Sequence, residues 1–115
     1  MERLVFPREE RLKKSREISV VFKNGGFVSC HGAKLFFRHN ELDISRIACV
    51  FSRKFGNAAS RNRARRLGRE AYRHIRGNIQ TGYDLVLLAY PDKEAVFKTR
   101  QAQLELLLRK ARILK

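Results

Sequence analysis

The stretch KFGNAASRNRARRLGREAYRHIR, Lys54 to Arg76, limits what this chain can fold into more than any other part of it. It carries seven arginines and one acidic residue, Glu70. The spacing predicts a helix from about Ser60 to Arg76, stopped by Gly77 and Asn78. On a helical wheel Ala64, Leu67, Gly68, Ala71 and Ile75 fall on one face, and Asn62, Arg65, Arg66, Arg69, Arg73 and Arg76 fall opposite. One face packs, and the other is a cationic stripe.

Arg61/Arg65, Arg65/Arg69 and Arg69/Arg73 are like-charged pairs one turn apart, each unfavourable by about 0.2–0.5 kcal/mol. Glu70 relieves part of that. Arg61 and Arg63 fall in the first turn after Ser60, the expected cap, where the helix dipole already places positive charge and acids are ordinarily favoured. A phosphate there reverses the sign. A solvated helix face is served by mixed charges and lysine, whereas planar, bidentate arginine suits phosphate. Free N–H groups, guanidinium forks and the FGNAAS approach therefore point to a nucleic-acid backbone.

The whole-chain balance agrees. Lys and Arg number 26 against 11 Asp and Glu, a net charge of +15, which predicts attraction to polyanions. A length of 115 residues, 43% of them hydrophobic, predicts a single domain over 1–115 with one core. No apolar run reaches the roughly 18 residues of a spanning helix, and no signal-peptide core opens the chain, so a cytosolic protein without membrane contact is expected. Cys30 and Cys49 lack metal-pair spacing and read as buried thiols. The carboxylates are scattered, His31, His39 and His74 stand apart, and no GxSxG, P-loop or GxGxxG occurs. The expectation is a binder with no catalytic residue and no metal site of its own. A helix-turn-helix reader is disfavoured, because the basic helix follows a strand and a glycine loop.

Elsewhere, Pro7 to Lys23 reads as an amphipathic helix ended by Asn24-Gly25-Gly26. Period-two patterns predict two or three antiparallel strands near 27–30, 33–39 and 45–53. YDLVLLAYP reads as a strand buried on both faces, and 92–114 as a terminal helix. The expected fold class is α+β, a sandwich in the order α-β-β-β-α-β-α with helices on a four-stranded sheet.

In AKLFFRH, alternation sets Lys34, Phe36 and Arg38 on one side of a strand. An aromatic between two cations is how single-stranded RNA is stacked and held. On the next strand Ala48, Val50 and Ser52 leave room for a chain to lie. Phe36 is equally consistent with core beneath the first helix, and Phe22 shares that ambiguity.

RKFGNAASRNRARRLGREAY, Arg53 to Tyr72, resembles the RNR motif of the bacterial ribonuclease P protein subunit. RLKKSREISVVFKNG resembles that family's opening helix and GYDLVLLAYP its strand after the basic helix, so the resemblance covers nearly the whole chain. It implies a ribonucleoprotein in which a catalytic RNA, with Mg2+ in the RNA active site, hydrolyses the 5′ leader from precursor tRNA. The protein assists and needs no obligate protein partner. By resemblance, Arg53, Lys54, Arg61, Asn62, Arg63, Arg65, Arg66 and Arg69 meet the catalytic RNA and the approach to the cleavage site. Phe22 and Phe36 occupy the aromatic positions of a cleft that holds the leader. Two residues depart from the pattern: Ile18 stands where an aromatic is common, and Gly68 replaces a larger apolar residue. A ribosomal-type RNA-packaging protein is the alternative; it accounts for the charge but not for the cleft aromatics.

Overall fold

The computed structural model describes residues 6–51, 56–90 and 96–115. After a 3-10 turn at Arg8–Glu10 come α1 (Ser15–Asn24), β1 (Gly26–Cys30), β2 (Ala33–His39), β3 (Arg46–Phe51), α2 (Ala58–Ile75), a second 3-10 turn at Arg76–Asn78, β4 (Tyr83–Ala89) and α3 (Phe97–Lys110). The element order is the expected one.

The most apolar strand takes a central place. Leu85, Val86 and Leu87 are all buried, so β4 needs cover on both faces and a partner on both edges. The sheet order is β1-β2-β4-β3, with β3 parallel to β4 and the other pairs antiparallel. Of the two or three antiparallel strands expected, β1 and β2 pair in that way, whereas β3 does not follow β2 across the sheet, because β4 inserts between them. The parallel pairing becomes possible only through the long connection that carries α2. Gly32, at φ +89°, closes the two-residue turn between β1 and β2, a conformation that a side chain would strain.

The two faces of the sheet are covered unequally. On one, Leu35, Ile47, Leu85 and Leu87 meet Ala71, Tyr72 and Ile75 of α2 and Leu104, Leu107 and Leu108 of α3. On the other, Val86 meets Val21 of α1 and Leu12, with Ile18, Phe36, Ala48 and Val50 only partly covered.

The first helix begins later than its periodicity implied. Glu10 turns inward, and Leu12 leaves the helical path to donate its N–H to the Ile47 carbonyl at 2.9 Å, so Arg11 pairs with Ile47 as an extra parallel bridge along β3. The terminal helix ends at Lys110; Arg112 takes a positive φ of 61°, and Leu114 bridges Ile79. Val96, at the start of α3 and outside its helical range, is exposed.

Candidate nucleic-acid interface

α2 is built as its sequence requires, with one change at its start. Asn57, not Ser60, is the cap: its Oδ1 accepts the Ser60 N–H at 2.9 Å. No acid lies in the first turn. Ala64, Gly68, Ala71, Tyr72 and Ile75 are buried, and Leu67 is half-buried. Tyr72, missed in the wheel, belongs to the packed face. Arg61, Asn62, Arg63, Arg66 and Arg69 are exposed on the outer face. Arg65 donates to Asn62 at 2.9 Å and lies over the Phe51 ring at 5.4 Å. Its charge is thus held at a fixed height above the sheet.

Two members of the expected stripe are engaged by acids. Arg73 donates to Glu70 at 2.7 Å, and the His74 ring contacts the same carboxylate at 3.3 Å. Arg76 turns inward to Glu10, whose carboxylate also accepts from the Tyr72 hydroxyl. Burial alone would raise the Glu10 carboxyl; the Arg76 and Tyr72 bonds outweigh it and leave the group below its ordinary 4.5. Arg76 is therefore a structural cation, a correction to its place on the outer face. Arg53 and Lys54 lie outside the described residues.

Gly68 proves complementary to Cys49. A Cβ at residue 68 would stand 2.7 Å from Cys49 Sγ, so the glycine that departs from the family pattern is what admits the thiol beneath α2. Burial pushes that thiol up to about 11, which keeps it protonated and unreactive at neutral pH. Both cysteines are free and only half-buried by residue.

On the sheet face toward α1, the register lines side chains into rows. Lys34, Leu88 and Val50 form one, Phe36, Val86 and Ala48 the next, and Arg38, Asp84 and Arg46 the third. Phe36 meets Phe22 of α1 edge-on at 4.6 Å between centroids and Phe27 of β1 at 5.7 Å. Lys34 Nζ stands 5.4 Å from the Phe27 centroid. Phe22 is 39% and Phe27 59% exposed, which large aromatics rarely are without a partner. Phe27 was not singled out from sequence. The two-residue turn at His31-Gly32 pairs Phe27 with Phe36, so counting back along the hairpin would have found it. Arg38 lies apart, exposed, on the opposite side of Phe36 from Lys34.

The cleft continues toward α2. A pocket of about 170 Å³ is lined by Arg11, Lys13, Ile18, Ala48, Val50, Arg65 and Arg69 among others, joining two outer-face arginines to the apolar floor of the sheet. Cationic side chains here border an apolar surface, close to the aromatic rings of β1, β2 and α1. Among the described residues no three His, Cys, Asp or Glu side chains lie together as a metal-binding group, and no helix is long and apolar enough to cross a membrane.

Known proteins share this sequence and this shape. Residues 6–112 match the family described as Ribonuclease P. The "Ribonuclease P protein component" of Thermotoga maritima is 40% identical over 83 residues, 72% of this chain and 71% of that protein. The protein of the same description from Shouchella clausii is 35% identical over 109 residues, 93% of this chain and 89% of its own. Among solved structures, the RNase P protein of Staphylococcus aureus superposes with a TM-score of 0.81 at 28% identity, covering 92% of this chain and 98% of that one. Matched to the family model over residues 6–112 and to its members in sequence and in overall shape, the chain belongs to the ribonuclease P protein family and is a protein component of that tRNA-processing ribonucleoprotein.

Proposed function

We propose that this subunit supplies no catalytic group and instead holds two RNAs: the catalytic RNA along the outer face of α2, and the unpaired 5′ leader of precursor tRNA across the cleft beside α1. Arg61, Asn62, Arg63, Arg65, Arg66 and Arg69 serve the first, with Arg73 at the end of the stripe, and Arg53 and Lys54, which precede the helix in the sequence, serve the same RNA. Phe22, Phe27 and Phe36 stack leader bases while Lys34 takes a phosphate; Arg38 extends the track beyond Phe36. The observation that carries the proposal is the aromatic cluster, rings 4.6 and 5.7 Å apart, on the sheet face whose Ala48 and Val50 line one pocket with Arg65 and Arg69 reaching round the β3 edge.

Hydrolysis then belongs to the RNA, which also holds the Mg2+ ions. Among the described residues the buried carboxylates are engaged elsewhere: Asp84 with Arg46 and Asn40, Glu10 with Arg76 and Tyr72. On this proposal the subunit works in the cytosol without a further protein partner.

The test is Phe36→Ala in the reconstituted ribonucleoprotein. Affinity for leader-bearing precursor tRNA should fall by about 1–3 kcal/mol, the worth of one base stack, with little change for mature tRNA. Equal losses on both RNAs would remove Phe36 from the leader site. RNA binding by the protein should also weaken with salt with a log–log slope of about −4 to −5, from five or six phosphate contacts. A flat response would exclude the basic face as the RNA contact.

A further inference from the structure

The third row of the α1-side sheet face, Arg38, Asp84 and Arg46, is only partly used by the binding surface described above. Asp84 is buried and receives three hydrogen bonds: Arg46 Nε at 2.8 Å, Arg46 Nη2 at 2.7 Å and Asn40 Nδ2 at 3.0 Å. The same Arg46 Nη2 also reaches Glu17 of α1 at 2.9 Å. Arg46 is a strut, anchored in the sheet at one end and on the helix at the other.

Besides this strut, α1 is held by a small apolar cluster around Val21 and Ile18 and by the Phe22–Phe36 contact. Val21 is its one buried residue, seated on Val86 and Leu12. A small apolar contact holds a helix down but resists rotation about its own axis poorly, because burial is non-directional. A bidentate guanidinium–carboxylate pair is directional. Glu17 and Phe22 lie on opposite flanks of the line through Ile18 and Val21, so a tether on Glu17 decides how Phe22 meets Phe36.

The geometry points to Arg46 as a positioning residue: by tying Glu17 to Asp84 it sets the rotation of α1 and hence the spacing of the edge-on Phe22–Phe36 pair that grips the leader. This rests on the leader-binding reading above. Arg46 touches no RNA in this account; it acts through α1.

Glu17→Ala tests it, because this variant leaves the buried Arg46–Asp84 pair intact and Glu17 is itself partly exposed, so the fold is kept. In the reconstituted ribonucleoprotein, binding would be measured to precursor tRNA with a short unpaired leader and to the mature tRNA body. The ratio of the two affinities should fall about fivefold or more, the low end of one lost stack, while mature-tRNA affinity and the salt slope stay as they are. Glu17→Lys, which sets a like charge against Arg46, should lower the ratio further. Phe36→Ala, run beside them, separates the two ideas. If it lowers the ratio and both Glu17 variants leave it unchanged, or weaken both RNAs equally, the strut is overturned and leader binding stands. If Phe36→Ala itself leaves the ratio unchanged, leader binding fails and the strut with it.

Discussion

One sheet has two faces with different duties. Under α2 and α3, Leu35, Leu85, Leu104, Leu107 and Leu108 are wholly buried, and that face supplies most of the apolar burial that keeps the chain folded. Under α1 the covering contact is small, and three phenylalanines crowd together at the surface. A protein selected for stability alone would bury them. The exposure of Phe22 and Phe27, close to Phe36 and Lys34, is what the proposed leader site rests on.

Substitutions should separate the faces cleanly. Leu107→Ala on the buried face should cost about 2–5 kcal/mol of stability, read as a shifted denaturation midpoint, and leave the ratio of precursor to mature tRNA affinity alone. A changed ratio would mean that the faces are coupled through the sheet. Glu10→Gln should be next, at about 1–3 kcal/mol, since it weakens the Arg76 and Tyr72 bonds that tie the N-terminal segment to α2. It also has a pH signature. The folded-state carboxyl is held below its ordinary 4.5, so its contribution is full above about pH 4.5 and is lost as pH falls through the depressed value. Wild type should therefore lose stability over that acid range more steeply than Glu10→Gln; identical acid limbs in equilibrium unfolding would refute the assignment.

The smallest effect concerns Gly68. Alanine there gains about 1 kcal/mol of helix propensity but meets Cys49 Sγ, and overpacking of this kind costs about 1–3 kcal/mol. Gly68→Ala should thus be destabilising by about 1 kcal/mol, and adding Cys49→Ala should make the same change favourable. Additive effects in the double-mutant cycle would show that the thiol does not fill the space the glycine leaves.

Much of this was legible beforehand, for identifiable reasons. β4 announces itself as an unbroken apolar run, and α2 by a periodicity that puts Ala64, Gly68, Ala71 and Ile75 on one side. The alternation of AKLFFRH placed Phe36 correctly between Lys34 and Arg38 on the α1 side. What local pattern could not carry was long-range. The placement of β4 between β2 and β3 depends on a crossover, and Glu10 finds Arg76 and Tyr72 only once α2 has packed, so Arg76 read as one more outward cation. Gly68 looked like a helix defect until Cys49 was beside it. Asn57 and Ser60 are both good caps by residue type, and only the backbone path chooses between them.

Phe27 offers the most direct test of the division between the faces, because at 59% exposure it contributes little to folding. Phe27→Ala should leave unfolding free energy within about 0.5 kcal/mol of wild type, while affinity for leader-bearing precursor tRNA, and not for mature tRNA, falls by about 1–3 kcal/mol. A protein that loses stability but keeps its grip on the leader would contradict the account.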